Sequence, residues 1–322
     1  MTRTAAARSF TARLGLELPI VQAPMAGFHG VALAAAASGA GALASLPGAA
    51  MSPQALRDAV GELRRASARP VNLNFICHTV PAPDPQREAA WRAALRPYYE
   101  ELGVPESAIQ AGPGRLPFGE EAVAAVEALR PEVVSFHFGL PPAPLFERVR
   151  ASGAQVWASA TTVAEGQWLA ARGVDAVIAQ GVEAGGHRGV FLDYGPAYDL
   201  ATQPRTLPLV TALLQAVRVP VIAAGGIASA DAVAAALDAG ASAVQLGTVL
   251  LLCPEATTSA VHRAALRSPA ARETALTNLF TGRPARGIVN RLMREVCPMS
   301  PLAPAFPLAG GTLMPLRAND EA

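Results

Sequence analysis

A repeated unit constrains this chain more than any other feature. Eight short apolar runs recur along it, each followed by a Gly/Pro-rich turn and then an Ala/Leu-rich helical pattern. They cover residues 19–25, 41–46, 71–75, 133–138, 155–160, 176–180, 221–224 and 243–246. Strands that alternate with helices pair in parallel through right-handed crossovers. Eight such units point to an α/β chain folded as a closed (β/α)8 TIM barrel, with an open doubly wound sheet as the alternative. Such a barrel uses about 250 residues, fewer than the 322 present.

Two stretches break the repeat. One is a strand-3 insertion over 76–119, holding a proline-rich piece (PAPDP) and a helix-like segment through Trp91 and Tyr98. The other is a C-terminal extension over 253–322. Long additions to a compact domain are usually functional, and both leave from C-terminal strand ends, where barrels build their active sites. The barrel is therefore expected over 1–75 and 120–252, and a lid or substrate subdomain over 76–119 and 253–322.

Composition removes several function classes. The net charge is +1 with no basic block, which gives no footing for nucleic acid or a membrane surface. No apolar run reaches the ~18 residues of a membrane helix, and the first ten residues lack a secretory core. The three cysteines, Cys77, Cys253 and Cys297, are scattered and form neither a disulfide framework nor a CxxC pair. A cytoplasmic protein is expected. The chain has no lysine, which excludes Schiff-base chemistry and disfavours a P-loop. Any phosphate must be held by backbone N–H groups, hydroxyls or arginine.

The loops after the seventh and eighth strands fit that requirement. AAGGIAS places Gly225 and Gly226 at one strand end, and QLGT places Gly247 and Thr248 at the next. Barrels commonly bind phosphate there, and glycine lets the backbone approach the ligand and aim its N–H groups. The alternative is that these glycines only make tight turns. After the sixth strand, QGVEAGGHRG carries Gln180 at the strand end and His187 on a Gly-rich loop. An imidazole there suits proton transfer or anion stabilisation; the alternative is a loop-capping histidine. Asn72 and Asn74 share one face of the third strand, and Ser135 and His137 one face of the fourth. His29 and His78 also follow strand ends. No HxH or HExxH spacing accompanies these histidines, so no metal is expected. The roles of His29, His78 and His137 stay open.

These motifs, in this order, resemble the nitronate monooxygenases. The matching segments are PIVQAPMAG (19–27), LNF (73–75), VSFHFGLP (134–141), QGVEAGGHRG, AAGGIA, QLGT and FTGRPARGIVNRLM (280–293). The resemblance implies non-covalent FMN and oxidation of alkyl nitronates by O2 to a carbonyl compound and nitrite. It implies that Pro24, Met25 and Ala26 lie along the isoalloxazine, that Asn74 (with Asn72 as the register alternative), Gln180 and Gly185 touch the flavin, and that Gly226, Gln245, Leu246, Gly247 and Thr248, joined by Gly225, cradle the phosphate. His187 matches the catalytic histidine. Phe75, Ile76 and Phe138 are candidates for an apolar wall. The first loop, AGFHGVA, and the CHTVPAPDP stretch depart from the family pattern and leave the substrate open.

The rival reading keeps FMN but uses NAD(P)H, as in reductases of the enoyl-ACP or quinone type. A flavin-free, metal-assisted barrel acting on a phosphorylated substrate is a second rival. An apolar lid surface would permit a homodimer.

Overall fold

Alternating strands and helices wind the first part of the chain into a (β/α)8 barrel in the computed structural model, which describes residues 4–109, 115–192 and 199–320. Residues 110–114 of the strand-3 insertion lie outside the described residues. The barrel strands are β1 (Ile20–Gln22), β2 (Ala44–Leu46), β3 (Val71–Ile76), β4 (Val133–His137), β5 (Gln155–Ala160) and β6 (Ala176–Gln180), followed, after the short β7 (Gly186–His187) outside the barrel, by β8 (Val221–Ala224) and β9 (Ala243–Leu246). Every barrel pairing is parallel, in the order β1-β9-β8-β6-β5-β4-β3-β2. A parallel bridge between Val21 and Leu43 joins the two ends of the sheet.

Period-two alternation sorts the strand side chains into two layers. Val71, Leu73, Val134, Phe136, Val156 and Ala158 belong to the large cluster that packs with the helices. Phe75 belongs there too, with ring centroids 4.9 Å from Phe118 and 6.5 Å from Phe136, so it packs in the outer layer. The interior cluster holds Val21, Leu43, Val133, Trp157, Ile178 and Ile222, joined by Phe10, Leu14 and Leu16.

Phe10 and Leu14 come from the helix Ala5–Leu14. The Thr4 side chain caps its N-terminus by accepting from Ala7 N–H, and Gly15 ends it at φ 65°, a left-handed stop that glycine adopts without a Cβ penalty. Phe10 meets Trp157 at 5.5 Å between centroids. This helix gives the lower interior an apolar filling and leaves polar inward positions to the strand C-terminal ends.

Chain contacts divide the protein into two compact units: Met1–His78, Pro117–Ala184 and Gly189–Thr258 form one, and Thr79–Leu116, Gly185–Arg188 and Ser259–Ala322 the other. The second has its own core. Trp91, Leu95 and Tyr99 stand four residues apart on the helix Pro85–Glu101 and pack with Leu279, Met293 and Leu313. Tyr99 donates its hydroxyl to the Thr312 carbonyl at 2.8 Å. Its sheet runs β10 (Thr274–Thr277), β11 (Ala285–Ile288), β7, all antiparallel. The segment 185–188, placed with the barrel in the sequence reading, groups with this unit because β7 pairs with β11.

Candidate active site

Neighbouring strand ends bring the barrel candidates to common levels. Gln180 is in register with Ala224, Ala224 with Gln245, and Gln245 with Val21. Gln180 and Gln245 thus stand two strands apart, about 9–10 Å at ordinary strand spacing. Gln180 Oε1 accepts from Gly189 N–H at 2.7 Å. Gln245 Oε1 is buried, and among the described residues nothing donates to it. An acceptor left so is costly, and a bound group carrying an N–H or O–H would satisfy it.

The loop after β1 meets the loop after β9. Ala23 N–H donates to the Leu246 carbonyl at 2.8 Å. A Cβ on Gly247 would stand 3.4 Å from Ala23 Cβ and 3.7 Å from Met25 Sδ. Pro24, Met25, Ala26, Leu246 and Gly247 are all half-buried, and Thr248 is exposed. Gly225 and Gly226 take φ values of 118° and 68°, where side chains with a Cβ are strained. A Cβ on Gly225 would also stand 2.9 Å from Ala184 N and Thr206 Oγ1. Thr206 Oγ1 donates to the Gly225 carbonyl at 2.9 Å, and Glu183 Oε2 accepts from Thr206 N–H at 2.9 Å. The glycine pair is therefore braced on the loop after β6, and Gly226 is exposed.

On β3, Asn72 is wholly buried and donates from Nδ2 to Ser45 Oγ at 3.0 Å. Asn74, one level nearer the C-terminal end, is half-buried and donates from Nδ2 to Ser135 Oγ at 3.0 Å and to the Ser135 carbonyl at 3.1 Å. His137 Nδ1 lies 3.0 Å from Ser159 Oγ. A Cβ on Gly189 would stand 2.8 Å from His137 Cε1, so glycine there admits the ring.

His29 is buried beside Gln22, whose Nε2 lies 3.3 Å from both ring nitrogens. Gln22 Oε1 is held by Ser45 N–H at 3.1 Å, so the amide presents its donor to the imidazole. Burial pulls the His29 pKa below its ordinary value, against a smaller opposite pull from the Gly30 carbonyl. Burial likewise pushes the Cys77 thiol well up, which makes it a poor nucleophile. His78, in the segment after β3, is buried at 8% exposure. Among the described residues no group of three or more His, Cys, Asp or Glu side chains is arranged to hold a metal ion.

In the second unit, β7 fixes His187. Its backbone pairs with Ala285 and that of Gly186 with Arg286, while Arg188 N–H donates to the Pro284 carbonyl at 2.8 Å. Gly185 directly precedes this strand. His187 Nε2 lies 2.8 Å from Thr281 Oγ1, and the Phe306 ring meets the imidazole edge-on at 5.4 Å. The segment TGRPAR (281–286) therefore supplies the hydroxyl, the carbonyl and the strand that hold the histidine. In the sequence alone that motif reads as a family mark, and nothing local marks Thr281 as a partner of His187. Ser159 and Gln22 carry no local signal beyond inward strand parity or proximity to a strand end.

A barrel kept only for stability would fill its strand ends with aliphatic side chains. Here they carry amides, hydroxyls and imidazoles at the face where barrels do chemistry, which defines an α/β-barrel enzyme. Comparison with known proteins narrows the class. The nitronate monooxygenase family model matches residues 8–318. The chain is 42% identical over 302 residues to the nitronate monooxygenase of Pseudomonas aeruginosa, covering 92% of this chain and 84% of that one. It is 39% identical over 311 residues to that of Paraburkholderia phytofirmans, covering 96% and 84%. Among solved structures, nitroalkane oxidase from Streptomyces ansochromogenes superposes with a TM-score of 0.87 at 36% identity, covering 97% of this chain and 87% of that chain. The protein belongs to the nitronate monooxygenase family and is an oxidoreductase of small-molecule substrates. Among the described residues no helix is long and apolar enough to cross a membrane.

Proposed function

We propose that this chain binds FMN without a covalent link and oxidises alkyl nitronates with O2, giving a carbonyl compound and nitrite. The observation that carries the reading is the fixed imidazole of His187, set by Thr281 Oγ1 at 2.8 Å and by strand pairing to Ala285. A histidine held from backbone and side chain loses little entropy on meeting an anion, so its orientation is prepared before substrate arrives.

FMN fits the barrel residues. Gln245 Oε1 is a buried acceptor with no donor among the described residues, and the half-buried Pro24, Met25 and Ala26 offer a surface for a planar ring. Asn74, Gln180 and Gly185 would meet polar edges of the cofactor. Gly225, Gly226, Leu246, Gly247 and Thr248 would surround the phosphate with backbone and one hydroxyl, two of the means open to a chain without lysine. FMN, when bound, supplies the electron-accepting chemistry.

The protein's own task is to bind and orient the nitronate and exclude water. His187 would hold the nitro oxygens through an N–H, or take the α-proton of a neutral nitroalkane; a positioned base typically contributes about 10²–10⁴-fold. The second unit is read as the lid. Its three segments leave the barrel after β3, β6 and β9, each at a C-terminal strand end, and this chain order supports the role.

The test is to reconstitute the protein with FMN and assay nitrite from an alkyl nitronate in air, with and without NADH. Nitrite formed without NADH supports the reading. NADH consumption with no nitrite would move the protein to the reductase class.

A further inference from the structure

His187 stands on a four-residue excursion, Gly185–Arg188, between two barrel segments. Consecutive Cα atoms are about 3.8 Å apart, so the placement of Gly189 and the residues after it limits where His187 can be. Those residues are held by a buried carboxylate.

Glu165 lies in the first turn of the helix Val163–Ala171 and is 2% exposed. The sequence TTVAE reads as a capping box, in which Thr162 caps the helix and a glutamate three residues later reaches back to the N-cap region. Thr162 Oγ1 does accept from Glu165 N–H, at 3.2 Å. One oxygen of Glu165, Oε2, accepts from Thr161 N–H at 2.6 Å and from Thr161 Oγ1 at 2.8 Å. Capping explains that oxygen only. The other, Oε1, accepts from Phe191 N–H at 2.6 Å and Leu192 N–H at 3.4 Å. All four of these donors are neutral, and they offset the cost of burying the carboxylate.

The same helix turn holds Phe191 by its ring. Trp168 meets it edge-on at 5.1 Å, and a Cβ on Gly139 would stand 3.2 Å from it. Backbone and side chain of Phe191 are thus both fixed, four residues after His187. Gly189, two residues before Phe191, is tied to Gln180.

We propose that Glu165 is a positioning residue for His187: its Oε1, by holding the Phe191 and Leu192 amides, fixes the C-terminal anchor of the segment that carries the imidazole. The inference rests on the catalytic role proposed for His187. Glu165→Gln keeps the size and one acceptor but turns an NH2 toward a pair of N–H donors.

The experiment is a double-mutant cycle on nitronate turnover by the FMN-loaded protein, with flavin content and melting temperature recorded for each variant. Glu165→Gln is expected to lower kcat by about 10-fold in the wild-type background, in keeping with the cost of a small misplacement. It is expected to leave KM and flavin content nearly unchanged, and to lower kcat less than about 2-fold further once His187 is already Asn, because a residue acting through His187 has nothing left to act on. Equal losses in both backgrounds, or no loss in the first, overturn the proposal. If His187→Asn alone leaves turnover intact, the reading of His187 fails instead, and the two failures are told apart. Should Glu165→Gln not fold, Glu165→Asp takes its place in the cycle. If neither folds, the carboxylate serves the fold as a whole and the proposal is overturned.

Discussion

His187 Nε2 and Thr281 Oγ1 lie 2.8 Å apart although 94 residues separate them in sequence. The hydroxyl can donate to Nε2 or accept from it, and Thr281 Oγ1 also lies 3.4 Å from the Arg283 carbonyl. The threonine thus orients the ring. Thr281→Val keeps the shape and removes the hydroxyl. It is expected to lower kcat by about 10-fold, the worth of one hydrogen bond of about 1 kcal/mol with some loss of orientation, and to leave flavin content unchanged. Thr281→Ser should recover most of the rate. Steady-state nitrite formation checks both.

His187 itself should be needed for turnover and not for the cofactor. His187→Asn is expected to keep FMN bound and to lower kcat by about 100-fold or more. Flavin absorbance of the purified variant, read beside its nitrite rate, separates the two effects. Full activity would mean that the histidine only holds β7 to β11.

Gln245 offers a test of the cofactor site. Its Oε1 is buried with no donor among the described residues, and Gln245→Met keeps the volume while removing the acceptor. The variant should fold as well as the wild type or better, since an unsatisfied buried group is lost. It should bind FMN about 10-fold more weakly, which titration of the apoprotein with FMN would measure. An unchanged affinity would place the flavin edge elsewhere.

The Gln22–His29 pair makes stability depend on pH. Burial lowers the folded-state pKa of His29 below its ordinary 6.5, so the unfolded chain binds more protons between the two values. The stabilisation is complete above pH 6.5 and is lost as pH falls from there through the folded-state value. Protonation would also set ring N–H groups against the Gln22 amide donor, which cannot turn over without losing Ser45 N–H. The melting temperature is therefore expected to fall on acidification from about pH 7 to about pH 5, less steeply in His29→Leu. Equal slopes in the two proteins would contradict this.

Much of the barrel was readable because local pattern governed it. The runs over 155–160, 176–180, 221–224 and 243–246 coincide with β5, β6, β8 and β9. The first two strands are shorter than their apolar runs. Gly41 sits at φ 86°, outside any strand conformation, and the chain after Gln22 turns where Phe28 N–H meets the Met25 carbonyl. His187 reads locally as a loop residue between glycines. Its strand character comes from β11, nearly a hundred residues later, and no local period reports a pairing of that range. The same holds for Glu165, whose TTVAE signature shows the cap but not the bonds to Phe191 and Leu192.

On the proposed function, a nitronate itself reduces the flavin. The most direct measurement mixes FMN-loaded protein with an alkyl nitronate without oxygen, follows the visible flavin band, then admits air and assays nitrite. The account predicts bleaching on mixing, recovery of the band in air, and nitrite with it. A flavin that stays oxidised with nitronate and bleaches only with NADH would contradict it.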